Sequence, residues 1–284
     1  MSNLLTAVLL PLALALVMLG MGLTLTPADF LRLLRRPRAV GLGLLCQMLV
    51  LPALTLLILR LVPMAPPIAV GLVVVALCPV GPASTLITYL ARGDVALAVS
   101  LTALSSALAV LTIPPLTNQA LHLILGTGTG VQLPIARTML QICAITLLPT
   151  GLGMGIRHGL PRLARSLEPW VNRLATVLLA LLILAVLLRE GSKLPGFLLQ
   201  AGIAVILLHG LGIAAGCLGS LLAGLTSPET IAVAVSVGLQ NAALAIAITA
   251  GLLGDPEMAI PAALYGLLMY GSGVAMICCG RCAR

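Results

Sequence analysis

Two long apolar stretches of this chain are broken halfway, at Cys78-Pro79-Val80-Gly81-Pro82-Ala83-Ser84-Thr85 and at Ser236-Val237-Gly238-Leu239-Gln240-Asn241. A helix broken inside lipid leaves N–H and C=O groups without partners, which is tolerated only where they face protein, a cavity or a ligand. The paired breaks therefore predict a cavity inside a membrane protein, and they restrict the fold to one that encloses both.

Composition supplies the setting. Of 284 residues, 61% are hydrophobic and 8% charged, whereas soluble domains carry roughly a quarter charged residues. A helix crossing the hydrocarbon needs about 20 residues. The chain is thus read as one all-α integral membrane domain over residues 1–284, with no room for a substantial soluble domain. Nine transmembrane helices are read at 3–25, 39–61, 68–90, 94–119, 133–156, 171–189, 196–223, 228–253 and 258–279. The first apolar run lacks a basic leader and a small-residue cleavage site, so it is expected to remain as a helix.

Arg32, Arg35, Arg36 and Arg38 follow the first span and Arg92 the third; Arg157, Arg162, Arg165 and Arg173 surround the link between spans five and six; Arg281 and Arg284 end the chain. The positive-inside rule places these segments in the cytoplasm, with the N-terminus outside, in the inner (plasma) membrane. The net charge of +8 does not imply nucleic acid, because the arginines are dispersed and 2% aromatic residues provide no stacking platform. Anionic lipid headgroups are the expected partners of that charge; no obligate protein partner is evident.

The seven acidic residues, Asp29, Asp94, Glu168, Glu190, Glu229, Asp255 and Glu257, are all read in loops or at helix ends. His209 is then the one titratable candidate inside a span, either a satisfied imidazole or a proton site. No metalloprotease, serine-hydrolase or nucleotide-loop signature occurs, so the chain is not read as an enzyme. Cys279-Gly280-Arg281-Cys282 is a single C-x-x-C without a second ligand pair and predicts no metal centre.

Each broken span stands third in a group of four. Residues of about 1–120 and 170–280 are accordingly read as repeats, made inverted by the linking helix at about 133–156. Inverted repeats with paired broken helices are a recurrent plan of secondary transporters, with the site where the breaks meet.

At this point the residues resemble a known family, the bile acid:sodium symporters and their bacterial relatives. The matching stretches are Gly20-Met21-Gly22-Leu23-Thr24-Leu25-Thr26-Pro27-Ala28-Asp29-Phe30, Gln47 ahead of Pro52, Cys78-Pro79-x-Gly81-x-Ala83-Ser84 running into Thr88-Tyr89-Leu90-Ala91-Arg92-Gly93-Asp94, and Gly238-Leu239-Gln240-Asn241. The resemblance implies a core domain with two crossing broken helices, a panel domain that moves against it, and sodium-coupled uptake of bile-acid-like or other organic anions. Carried over by motif, Gln47 and Gln240 match ligands of one sodium site and Ser84 and Thr102 part of the other; Thr85 and Ser236 complete the expected sodium set. Pro82, Thr85, Ser236 and Asn241 are the expected substrate contacts. Sodium is the only cofactor implied.

Three departures bear on coupling. Ser236 stands where the family's sodium-dependent members carry a glutamate, Thr85 where the first break usually has asparagine, and Ala98 where a hydroxyl ligand is usual. One carboxylate about 4 Å from a cation is worth about 4 kcal/mol at an effective dielectric near ~20, or about a thousandfold in affinity. The alternatives are a sodium-independent carrier, proton-coupled through His209 or facilitative, and a membrane sensor that binds without transport. The positive ends of half-helices suit a carboxylate or sulfonate. Arg137 is read as an interfacial anchor, the alternative being a group that attracts anions during entry.

Overall fold

The computed structural model describes residues 10–26, 36–126, 133–189 and 194–282. Expectations resting on Asp29, Arg32, Arg35, Glu190, Lys193 and Arg284, and on the side chains of Cys279 and Cys282, lie outside the described residues and side chains. The described chain is all-helical: α1 (Leu10–Thr24), α2 (Pro37–Leu61), α3 (Pro66–Leu77), α4 (Ala83–Leu90), α5 (Val95–Leu125), α6 (Ile135–Gly159), α7 (Pro161–Arg189), α8 (Leu194–Leu222), α9 (Ser227–Gly238), α10 (Ala242–Leu252) and α11 (Ile260–Cys282). Among the described residues, five helical stretches are long and apolar enough to cross a bilayer: Pro37–Leu61, Val95–Leu125, Ile135–Gly159, Ala201–Leu222 and Glu257–Cys278. Pro11–Thr24, Pro66–Leu77 and Ala242–Leu252 are shorter apolar helices. The molecule is a multi-pass membrane protein.

Both expected interruptions are present, between α3 and α4 and between α9 and α10. The sixth expected span is corrected: α7 begins at Pro161, well ahead of residue 171, and Pro169 lies inside it. The reason is amphipathicity. Leu163, Leu167, Trp170, Leu174, Val177, Leu181 and Leu184 recur every three or four residues and are exposed, so one apolar stripe runs the length of the helix while Arg162 and Arg165 occupy its first turns. Such a helix has no continuous apolar run at its start, which is what a span reading looks for. Helix α5 likewise continues to Leu125 through Pro114 and Pro115, beyond the expected end at 119.

Two helices carry a widened turn for a common reason. Cys46–Val50 in α2 and Cys143–Leu147 in α6 are π-helical, and each lies just ahead of a proline, Pro52 or Pro149. A proline donates no backbone hydrogen bond and its ring crowds the carbonyl four residues back. Those carbonyls, of Met48 and Ile145, belong to the widened turns.

The two interrupted helices occupy the centre. Every residue of α3 from Ile68 to Leu77 is buried, as is the run from Ala232 to Ala250 across α9 and α10. Helix α3 is apolar on all sides, as suits a helix buried on all sides. Helices α2, α5, α8 and α11 pack around this centre, whereas α1, α6 and α7 pack chiefly on one another. Close approach of α1 and α6 depends on glycine: a Cβ on Gly22 would run into the Thr150 carbonyl, and one on Gly153 would sit 2.6 Å from the Leu19 carbonyl oxygen.

The starts of α2, α5 and α9 meet on one face. Asp94 caps α5, its Oδ1 accepting from the Leu97 N–H at 3.1 Å, while its Oδ2 lies 3.0 Å from Arg36 Nη1. The same nitrogen is 2.7 Å from Glu229 Oε1, and Glu229 Oε2 accepts from the Thr226 N–H at 2.9 Å and hydroxyl at 2.7 Å. The Asp94 N–H donates to Pro228 O at 2.8 Å. The turn ahead of α9 is therefore joined to two turns that the arginines assign to one side of the membrane.

Candidate functional site

The breaks cross and pair. Val80 and Gln240 form an isolated antiparallel bridge, in which the Gly81 N–H donates to Leu239 O at 2.7 Å and the Asn241 N–H to Pro79 O at 2.9 Å. Backbone groups released by the two breaks thus satisfy one another. Side chains take up the remainder. Gln47 Nε2 donates to Cys78 O at 2.9 Å, Ser105 Oγ accepts from the Val80 N–H at 3.2 Å, and the Tyr265 hydroxyl donates to Gly238 O at 2.5 Å. Glycine at 81 is dictated by this approach, since a Cβ there would lie 2.7 Å from the Gln240 carbonyl oxygen.

The expected sodium ligands fall into separate groups. Gln47 and Gln240, both buried, form a reciprocal amide pair: Gln47 Nε2 donates to Gln240 Oε1 at 2.6 Å and Gln240 Nε2 to Gln47 Oε1 at 3.2 Å. Gln240 Nε2 also reaches Val237 O at 2.7 Å. Ser84 and Thr102, also buried, have hydroxyls 3.4 Å apart, and Thr102 donates to Ala98 O at 2.8 Å. Ser236 is buried and its hydroxyl has no hydrogen-bond partner among the described residues. Thr85 is half-buried and belongs to a different surface, described next.

A cavity of about 450 Å³ opens beside the crossing. One part of its lining comes from the starts of α4 and α10, namely Pro82, Ala83, Thr85, Asn241, Ala242 and Ala243, with Gln240 between them. Another comes from Gly20, Met21 and Thr24 of α1 and Glu168 and Asn172 of α7. The first N–H groups of a helix have no partner within it and carry partial positive charge, so two half-helices direct donors into one space. Asn241 strengthens this: its Oδ1 caps α10 by accepting from the Leu244 N–H at 3.0 Å, and its buried Nδ2 has no partner among the described residues.

Of the expected substrate contacts, Pro82, Thr85 and Asn241 line the cavity together; Ser236 is not among its lining residues. His209 does not line it either. It is buried, with Nε2 2.5 Å from Ser272 Oγ and its ring edge-on to Tyr265 at 5.2 Å. Arg137 is exposed and away from the cavity. Sequence reasoning passed over Glu168 and Asn172, which it assigned to a link and a helix start. Their four-residue spacing puts them on one helix face, a signal that becomes readable once α7 is known to begin at Pro161.

Comparison with known proteins identifies a family. Residues 11–196 match the model of the Sodium Bile acid symporter family. The probable sodium/metabolite cotransporter BASS1, chloroplastic, of Arabidopsis thaliana is 31% identical over 88% of this chain and 61% of its own length. The uncharacterized sodium-dependent transporter YocS of Bacillus subtilis is 28% identical over 89% of this chain and 77% of its own length, and sodium/bile acid cotransporter 4 of Mus musculus is 33% identical over 54% and 35%. The chain spans 61%, 63% and 62% of the length of three plant relatives. Crossed interrupted helices, the motifs at the breaks and the match over more than half of its length place the chain in the sodium bile acid symporter family.

Proposed function

We propose that this chain is a secondary transporter that moves a small organic carboxylate across the plasma membrane by alternating access. One observation carries the reading: α4 and α10 start at a shared crossing and turn their N-terminal donors into a single cavity of about 450 Å³ bounded on another side by α1 and α7. In this reading nine spans form inverted repeats, α1, α6 and α7 act as the panel, and the remaining helices act as the core. The packing of α1, α6 and α7 on one another supports that division. The Arg36, Asp94 and Glu229 cluster supports the topology in which those turns share the cytoplasmic face.

Sodium is the coupling ion that family membership suggests, held here by neutral oxygens of Gln47, Gln240, Ser84, Thr85, Thr102 and Ser236 and therefore weakly. A second reading, sodium-independent carriage, is favoured by the Gln47–Gln240 pair, in which each amide oxygen already accepts a hydrogen bond. Uptake into proteoliposomes with sodium replaced by choline separates the two. Symport predicts loss of uptake in choline; unchanged uptake contradicts it. Ser236→Glu is expected to raise apparent sodium affinity by about a thousandfold if the carboxylate comes within ~4 Å of the ion, read as the sodium concentration for half-maximal uptake.

A further inference from the structure

The cavity that would receive a carboxylate contains a negative charge of its own. Among the described residues that line it, Glu168 is the only formally charged side chain, and no described lysine, arginine or histidine lines it. Glu168 is half-buried and makes no ion pair or hydrogen bond with any described residue. The positive character of the site comes instead from the α4 and α10 N-termini and from the Asn241 Nδ2 donor, which is buried without a partner among the described residues. A cavity so built has a donor-rich part supplied by α4 and α10 and an acceptor on α7. For a plain anion, Glu168 is a repulsive neighbour. For a molecule that also carries a cationic group, it is a partner.

We propose that the substrate is a small zwitterion, with its carboxylate toward the α4 and α10 N-termini and Asn241, and its ammonium on Glu168. This rests on the carrier reading above and narrows its substrate class. The charges are separate in origin: the carboxylate end is recognised by backbone dipoles of the broken helices, and the ammonium end by one side chain of α7. A carboxylate lacking the ammonium loses an attraction and is repelled by Glu168 as well. Between unit charges at a half-buried side chain, that difference is worth about one to two orders of magnitude in affinity.

The test uses the full chain reconstituted in proteoliposomes with two matched probe pairs, alanine with lactate and 4-aminobutyrate with 4-hydroxybutyrate. Each pair has the same carboxylate and similar size, and differs in ammonium against hydroxyl. Expected is uptake of the amino member about 10-fold or more above the hydroxy member in at least one pair. Glu168→Gln should erase that preference by lowering uptake of the amino member and raising that of the hydroxy member, while Glu168→Asp retains it. If carboxylates are carried but the hydroxy member is preferred in both pairs, or Glu168→Gln leaves the ratio unchanged, the zwitterion assignment is overturned and the carrier reading stands. If no member of either pair moves through monodisperse protein, the assignment falls together with the small-carboxylate carrier on which it rests.

Discussion

The cavity is bounded by two unlike surfaces. The surface from α4 and α10 is anchored in the most buried part of the molecule, and its backbone is tied across the crossing by Gly81 to Leu239 and Asn241 to Pro79. The surface from α1 and α7 consists of continuous helices; among the described residues Thr24 is bonded to its own helix through Met21 O at 2.7 Å and Glu168 has no partner. The first surface has recognition groups that cannot be rearranged without undoing the crossing. The second offers side chains that can change while the fold persists. Such a division suits a carrier in which general carboxylate recognition is fixed in the core and substrate choice is set by the element that moves.

Substitutions should separate the two surfaces clearly. Gly81→Ala forces a Cβ against the Gln240 carbonyl, whose carbon would lie 3.1 Å away, and neither backbone can yield without loss of the bridge. A destabilisation of about 1–3 kcal/mol is expected from overpacking, with uptake lost; thermal unfolding of the detergent-purified protein and flux assays measure both. A variant of wild-type stability would show that the crossing is looser than the bridge implies.

Next in size is the amide pair. Gln47→Leu leaves the buried Gln240 Oε1 without its donor while Nε2 keeps Val237 O, at an expected cost of about 1–3 kcal/mol, whereas the double change Gln47→Leu with Gln240→Leu should recover part of it. The cycle reads the coupling directly. Additive effects would mean that the two glutamines do not act as a pair. On the α1 side, Thr24→Val removes only a bond within the helix and should change stability by less than about 0.5 kcal/mol, with at most a few-fold change in KM. A large loss there would erase the contrast between the surfaces.

How much of this was readable from sequence follows the same contrast. The breaks were legible because Pro79, Gly81 and Gly238 interrupt strongly apolar runs, and the residue types at Pro82, Thr85 and Asn241 suited a cavity. The meeting of Gln47 with Gln240, 193 positions apart, was legible only through the family resemblance, which matched both to one sodium site; residue patterning alone does not bring them together. Glu168 and Asn172 were missed for another reason. The first turns of α7 alternate arginine with leucine, so hydropathy hides a helix whose polar pair faces inward. Reading Leu163, Leu167, Trp170 and Leu174 as one stripe recovers it.

The central claim is that substrate bound at the α4 and α10 N-termini is carried through the membrane. Counterflow measures this most directly: proteoliposomes loaded with an unlabelled carboxylate from the probe pairs are diluted into the same compound bearing a radiolabel. The account predicts transient accumulation of label by the wild-type chain. Asn241→Ser keeps a capping oxygen for α10 but removes the Nδ2 donor, and should raise KM about 10-fold, as for loss of a hydrogen bond to a charged group. Saturable binding of the label without counterflow would contradict the account and identify the cavity as a sensor's ligand site.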